Sequence, residues 1–106
     1  MSFVAAAPLA DVPDGGALAV EIDGQEIALV RDGGDVYAIR DECSHASIPL
    51  SEGDVEGCEI ECWLHGSRFD IRTGQPSGPP AIVPIAVHTV KIEGDDVYVA
   101  LKTQEN

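Results

Sequence analysis

The stretch CWLHG, residues 62–66, places a thiol and an imidazole with two residues between them, so both can reach one metal centre from a single turn. A second pair lies upstream, where CSH at residues 43–45 has one residue between its thiol and its imidazole. As a spacing, Cys-x-His is followed after sixteen residues by Cys-x-x-His, and the whole set spans twenty-three residues. Two short loops could therefore bring two thiolates and two imidazoles to one inorganic centre.

Two kinds of centre accept this ligand set. A structural zinc site takes four nitrogen or sulfur ligands in a closed tetrahedron, and two cysteines with two histidines are an allowed combination. The usual zinc-finger order, however, places both cysteines on one element and both histidines on the next. The alternating order found here suits a [2Fe–2S] cluster in which one iron is bound by the cysteines and the other by the histidines. Zinc stays open as the alternative on ligand types alone.

The stretches CSHASIPLSEG (43–53) and CWLHGSRFDIRTGQPSGPP (62–80) resemble the two cluster loops of Rieske-type ferredoxins, and the resemblance covers essentially the whole chain. It implies one Rieske [2Fe–2S] cluster with four ligands: Cys43, His45, Cys62 and His65. The cysteines would bind the buried iron and the histidines the outer iron, through which the electron would enter and leave. The resemblance also implies a set of residues around the cluster, the last three in a covering proline loop: Ser67, Phe69, Gly78, Pro79 and Pro80.

Outside these loops, short runs rich in Val and Ile are separated by turn signals, which is typical of antiparallel sheets. Four glycine-containing sites are candidate hairpin connections: Gly15-Gly16, Asp23-Gly24, Asp32-Gly33-Gly34 and Glu93-Gly94-Asp95. No long window has a helical apolar period. We predict an all-β fold, a Rieske-type antiparallel β-sandwich or barrel with little helix.

The chain is predicted to be one Rieske domain, residues 1–106, with a smaller cluster-binding subdomain at about 41–80 inserted into the sheet framework. That inserted segment carries all three cysteines, two of the three histidines and the single Trp. At 106 residues the chain is long enough for one modest core.

Nineteen acidic residues against six basic ones give a net charge of -13, which disfavours binding to nucleic acid or to anionic membrane surfaces. A protein partner with a basic face is one explanation of the charge, and simple solubility is the other. The odd cysteine count disfavours a disulfide framework. The first sixteen residues resemble neither a secretory signal nor a membrane anchor, so we expect a cytoplasmic protein.

Two positions distinguish this chain from the high-potential members of the family. Those members carry one more cysteine in each cluster loop and join the two in a disulfide, whereas the matching residues here are Ile48 and Leu64. They also carry a Tyr where this chain has Phe69, although Ser67 is kept. Fewer hydrogen bonds to sulfur stabilise the reduced cluster less, so we expect a reduction potential at the low end of the Rieske range.

The resemblance thus implies a soluble one-electron carrier between a flavin-containing ferredoxin reductase and a terminal ring-hydroxylating oxygenase. Two alternatives have the same sequence pattern: an accessory ferredoxin of iron–sulfur assembly and the Rieske small subunit of a nitrite-reductase-type complex. Catalysis by the chain alone is not expected, because oxygen activation needs two histidines and a carboxylate at a second iron. Once the cluster takes two histidines, His88 is the one left.

Several other residues have two possible roles. We predict that Cys58 is a buried structural cysteine on one strand face with Ile60 and Cys62, rather than a fifth ligand. His88 is predicted to be partly buried and hydrogen-bonded. Trp63 could pack the cluster loop or dock a partner. Two cations, Arg68 and Arg72, could contact a partner, but pairing with nearby carboxylates is favoured.

Overall fold

A computed structural model of the chain describes residues 3–42, 49–62, 66–77 and 84–101. The strands in these ranges are β1 (Val4–Pro8), β2 (Gly16–Ile22), β3 (Gln25–Asp32), β4 (Asp35–Arg40), β5 (Val55–Glu56), β6 (Glu59–Glu61), β7 (Arg68–Asp70), β8 (Val87–Glu93) and β9 (Asp96–Ala100). The helical segments in the same ranges are two 3₁₀ turns, Leu9–Asp11 and Leu50–Glu52. The predicted all-β fold with little helix is confirmed.

The strands form two antiparallel sheets of unequal size. The large sheet has the order β1-β9-β8-β4-β3-β2, and its outer strands β1 and β2 contact each other, so the sheet curls towards a barrel. The small sheet has the order β5-β6-β7 and lies within the segment for which a cluster-binding subdomain is predicted. None of the helical segments in the part of the chain just defined is long and apolar enough to cross a membrane.

Three of the four predicted hairpin connections are confirmed. Asp23-Gly24 joins β2 to β3, Gly33-Gly34 joins β3 to β4, and Gly94-Asp95 joins β8 to β9. Asp23 and Gly24 have φ values of 52° and 79°, as in a type I′ turn, which matches the twist of the flanking strands with positive φ at both central positions.

The fourth predicted hairpin, at Gly15-Gly16, is wrong. Strand β1 pairs with β9 at the other side of the sheet, so no β1–β2 hairpin forms at this glycine pair. The chain after β1 turns through a 3₁₀ segment and buries Val12 in the core, and Gly15 then donates its N–H to the carbonyl of Arg31 at 2.8 Å. The two glycines therefore start β2 alongside the end of β3.

Strand β3 is buried on both faces and separates two hydrophobic clusters. Ile27 and Leu29 pack inside the curled sheet with residues of β9, whereas Ala28 and Val30 pack on the opposite face against the small sheet. This explains why the run IALV at residues 27–30 does not alternate between apolar and polar residues, as a half-buried strand would.

The small sheet is attached to the outer face of β3 and β4 by apolar side chains that are completely buried. These side chains are Leu50, Ile60, Phe69 and Ile71. Complete burial of each contributes about 1.5–3 kcal/mol relative to exposure. The position of the small sheet thus depends on packing against the large one.

The chain leaves and re-enters the large sheet at neighbouring strands. β4 pairs with β8 through Ala38 opposite His88 and Ile39 opposite Val87. The N–H of Arg40 then donates to the carbonyl of Ala86 at 2.9 Å. The segment that carries the predicted ligands therefore begins and ends side by side.

Candidate metal centre

One of the four predicted ligands, Cys62, lies in the described ranges. Cys43, His45 and His65 lie outside them, as do Ile48, Trp63, Leu64, Gly78, Pro79 and Pro80. The structure therefore shows the surroundings of one ligand and the chain at the base of each predicted cluster loop.

Cys62 directly follows β6 and is completely buried. Its N–H donates to the carbonyl of Ser67 at 2.7 Å, and its carbonyl accepts from the N–H of Gly66 at 2.9 Å. Gly66 has a φ of 76°, a conformation that glycine adopts without strain. These two bonds close the base of the loop that carries residues 63–65.

Apolar and small polar groups surround this position. Phe69 is fully buried, lies opposite Ile60 in the sheet and belongs to the same hydrophobic cluster as Cys62. Ser67 is fully buried as well and takes part in a hydrogen-bonding or electrostatic interaction. A thiolate in apolar surroundings is unfavourable unless a metal or another positive group compensates it, so this position suits a ligand of a buried iron.

Asp41 and Ser51 close the base of the first predicted cluster loop. One carboxylate oxygen of Asp41 accepts the N–H of Ser51 at 2.7 Å, and the other accepts its hydroxyl at 2.8 Å. Asp41 is only 5% exposed. Neither residue is recognisable as a site residue from the sequence, because an Asp and a Ser ten positions apart carry no spacing signal.

Gly74 closes the base of the segment that includes the predicted proline loop. It has a φ of 82°, and its carbonyl accepts the N–H of Ile85 at 2.9 Å. A Cβ atom at this position would lie 2.1 Å from the carbonyl oxygen of Ile85. The absence of a side chain therefore lets the two ends of this segment meet.

Gly53 joins the first loop to the second. A Cβ atom on Gly53 would lie 1.7 Å from the carbonyl oxygen of Glu61, the residue before Cys62. The N–H of Glu61 donates to the carbonyl of Asp54 at 2.8 Å, which continues the same contact. The chain leaving the first loop is thus packed directly on the strand that leads to Cys62.

The outer face of the small sheet carries charged side chains. Arg68 lies 3.5 to 4.0 Å from the carboxylates of Glu56, Glu59 and Glu61. Arg72 makes two side-chain hydrogen bonds to Asp70, at 2.9 and 3.1 Å. This fork holds the pKa of Asp70 below its ordinary value and raises the pKa of Arg72. The prediction that both arginines pair with nearby carboxylates is confirmed.

Cys58 was predicted to lie on the strand with Ile60. It lies instead in the two-residue turn between β5 and β6, with a φ of 66°. The predicted shared face is therefore correct for Ile60 and Cys62 but wrong for Cys58, which is half-buried. Its thiol donates to a carboxylate oxygen of Asp32 at 3.0 Å. This hydrogen bond, with partial burial, raises the pKa of the thiol.

His88 is 4% exposed and lies on β8 beside Ala38, so it is more completely buried than predicted. It takes part in a hydrogen-bonding, ring or electrostatic interaction, and it lines a cavity of about 430 Å³ together with Arg40. Among the described residues, no three His, Cys, Asp or Glu side chains are grouped so that they could hold a metal.

Comparison with known proteins gives a consistent result over nearly the full length. The family model described as "Rieske [2Fe-2S] domain" matches residues 2–102. The ferredoxin subunit of biphenyl dioxygenase from Pseudomonas sp. strain KKS102 is 40% identical over 100 residues, covering 93% of this chain and 92% of that protein.

Solved structures agree with the sequence match. The ferredoxin of carbazole 1,9a-dioxygenase from Nocardioides aromaticivorans IC177 superposes with a TM-score of 0.91 at 40% identity, covering 96% of this chain and 100% of that one. The complex of reduced oxygenase and oxidized ferredoxin in carbazole 1,9a-dioxygenase contains a chain that also superposes on this one. Its TM-score is 0.88 at 34% identity, and the match covers 96% of this chain and 97% of that one. The chain therefore belongs to the family of Rieske [2Fe–2S] domains.

Proposed function

We propose that the chain is a one-electron carrier that accepts electrons from a flavin-containing ferredoxin reductase and delivers them to a terminal ring-hydroxylating oxygenase. The observation that carries this proposal is the likeness, over more than nine-tenths of both chains, to proteins named as ferredoxin components of dioxygenases. One of the matched structures is a complex of such a ferredoxin with its oxygenase. These relatives are carriers within an enzyme system, so the catalytic centre belongs to the partner.

The electron would be held on one [2Fe–2S] cluster with Cys43, His45, Cys62 and His65 as ligands. The complete burial of Cys62 at the end of β6, with backbone bonds to residues 66 and 67, supports its assignment to the inner iron. When bound, the cluster takes up and releases one electron. Two thiolates and two neutral imidazoles leave it less negative than four thiolates would, which makes reduction easier than in all-cysteine ferredoxins.

The chain's own residues would exclude water and orient the ligands. Phe69, Leu50 and Ile71 are fully buried in the cluster of side chains that includes Cys62, so they shield the inner side of the centre. Gly66 and Ser67 fix the backbone on both sides of residues 63–65 through their bonds to Cys62. The predicted placement of Ser67, Phe69, Gly78, Pro79 and Pro80 around the cluster belongs to this proposal, with residues 41–80 as the cluster-binding subdomain.

The net charge of -13 favours transient docking on partners with a basic face. The thiolate ligands and the odd cysteine count suit a reducing compartment, so we place the protein in the cytoplasm. The two alternative roles, in iron–sulfur assembly and in a nitrite-reductase-type complex, are not favoured by relatives named as dioxygenase ferredoxins.

Metal analysis of the purified protein tests the cofactor. We expect iron and acid-labile sulfide in equal amounts and, after reduction, the electron paramagnetic resonance signal of a Rieske cluster. Cys62→Ser should abolish both, whereas Cys58→Ser, which changes the thiol bonded to Asp32, should leave both unchanged. A colourless wild-type protein that contains zinc would contradict the proposal.

Voltammetry and reconstituted turnover test the role. We expect a midpoint potential near the low end of the Rieske range, roughly -150 mV, and electron delivery to an aromatic-ring oxygenase when a flavin-containing reductase is supplied. A potential typical of respiratory cytochrome-complex proteins, or no turnover with any such oxygenase, would contradict this role.

A further inference from the structure

We propose that Asp41 and Ser51 are a positioning pair that holds the first ligand-bearing segment at its base and thereby sets how firmly the cluster is retained. This inference rests on the proposed function, since it assumes that Cys43 and His45 bind the cluster. It concerns two residues that do not themselves act as ligands.

The contact between the two residues fixes orientation as well as distance. Both carboxylate oxygens of Asp41 are used, one on the N–H of Ser51 at 2.7 Å and one on its hydroxyl at 2.8 Å. Two charge-assisted hydrogen bonds to one residue restrict rotation in a way that a single bond does not. The 5% exposure of Asp41 also limits competition from water.

Both members of the pair are held against the large sheet, each by its own contacts. The N–H of Asp41 donates to the carbonyl of Glu26 at 2.9 Å, which ties it to β3 of the large sheet. Ser51 lies in the 3₁₀ turn Leu50–Glu52, where Leu50 is fully buried under the small sheet. The pair therefore links the chain that enters the first loop after β4 to the chain that leaves it at the turn packed on β2 and β3.

A buried carboxylate is a costly way to close a loop. Removing a carboxylate from water is unfavourable unless hydrogen bonds compensate it, whereas the two bonds described between Cys62 and residues 66 and 67 join backbone groups. The use of Asp41 here indicates that the first loop requires a more rigid base. Through Gly53, which packs on the carbonyl of Glu61, the same base is connected to the strand leading to Cys62.

The test uses the cluster-loaded protein with Asp41→Asn and Ser51→Ala, and with Ser51→Thr as the variant that keeps the hydroxyl. Outer residues that support metal ligands typically change metal affinity by roughly 10–100-fold. We therefore expect cluster loss in the presence of an iron chelator, followed by visible circular dichroism, to be about tenfold faster or more in the first two variants. Ser51→Thr should lose the cluster at nearly the wild-type rate.

Two control variants separate positioning from general effects. Asp35→Asn makes the same change of charge at an exposed carboxylate of the large sheet. Val97→Ala weakens the hydrophobic cluster inside the large sheet, away from the small one. Asp35→Asn should lose the cluster at the wild-type rate. Val97→Ala should lower the melting temperature without speeding cluster loss.

The reduced-state electron paramagnetic resonance spectrum provides a second readout that a purely structural role would not change. We expect shifted or broadened features in Asp41→Asn and Ser51→Ala and wild-type features in Val97→Ala. Wild-type spectra and wild-type rates of cluster loss in both pair variants would overturn the inference. A wild-type protein without any Rieske signal would instead overturn the proposed function.

Discussion

The large and small sheets are built by different means. Strands of the large sheet are joined by two-residue turns at Asp23-Gly24, Gly33-Gly34 and Gly94-Asp95, whose local chemistry is sufficient to direct the pairing. The small sheet has strands of only two or three residues, and long segments separate it from the large sheet. Its position depends on buried side chains and on close backbone contacts. Local turn chemistry thus determines three of the strand pairings in the large sheet, whereas tertiary contact determines the position of the small one.

The largest expected effect is the change in the free energy of unfolding when Gly53 is replaced. Gly53→Ala would place a Cβ atom 1.7 Å from the carbonyl oxygen of Glu61, so the backbones must separate. We expect a loss of about 3 kcal/mol in the free energy of unfolding. Gly34 lies in a turn of the large sheet, where an added Cβ atom would meet no atom within 4 Å apart from its chain neighbours. Gly34→Ala should therefore change the free energy of unfolding by less than about 0.5 kcal/mol.

Urea denaturation of both glycine variants measures these values. Hydrogen exchange of Gly53→Ala sharpens the comparison, because protection should fall in β6 and β7 while β2 and β3 remain protected. Equal stability of the two variants would show that the close approach at Gly53 does not position the small sheet.

A smaller effect on the free energy of unfolding is expected from the ion pair between Arg72 and Asp70 beside the small sheet. Because Arg72 lowers the pKa of Asp70, the pair stabilises the fold above the ordinary pKa of an Asp and loses this contribution as the pH falls through the lowered value. Arg72→Gln should lower the free energy of unfolding slightly at pH 7, and its difference from wild type should disappear in acid.

Thermal unfolding between pH 2 and pH 7 follows this change. In an Asp70→Asn background, Arg72→Gln should have almost no further effect, since the partner carboxylate is already gone. An undiminished effect in that background would assign the role of Arg72 to packing rather than to charge.

The smallest effect concerns the thiol that connects the two regions. Cys58 in the small sheet donates to Asp32 at the end of β3, and this bond raises the pKa of the thiol, so less thiolate is present at any given pH. Asp32→Asn should lower that pKa and speed alkylation of Cys58 at pH 8 several-fold. Mass spectrometry of the cluster-loaded protein measures the rate.

The matched variant Asp14→Asn removes an exposed carboxylate and should leave the alkylation rate unchanged. If Asp32→Asn also leaves the rate unchanged, the hydrogen bond does not control the thiol, and partial burial and the charge of Asp70 are the remaining causes of its raised pKa.

The same contrast explains which features could be predicted from the sequence. Turn chemistry and strand periodicity predicted three hairpins and an all-β fold, because both signals are local. They gave the wrong result at Gly15-Gly16, where the partner of β1 comes from the far end of the chain. Cys58 was misplaced for a related reason: alternation in GCEIEC extends past the strand, but the turn begins at Gly57.

The candidate site divides in the same way. Ligand types and spacing are sequence properties; together with the family resemblance they predict a Rieske cluster, whereas the ligand types alone leave zinc open. Asp41, Gly53 and Gly74 carry no such spacing, since their importance depends on atoms that arrive from distant residues. Only the folded chain shows that a hydrogen atom is all that fits at Gly53.

The junction of β4 and β8 has a consequence for how such a chain can change over time. The chain departs after Arg40 and returns at Ala86, one hydrogen bond from where it left. The register of the large sheet therefore does not depend on the length of the path in between, and closely spaced ends are where insertions and exchanges are tolerated. A redox segment with another potential or another docking surface could be grafted at these two residues while the supporting barrel keeps its own pairing.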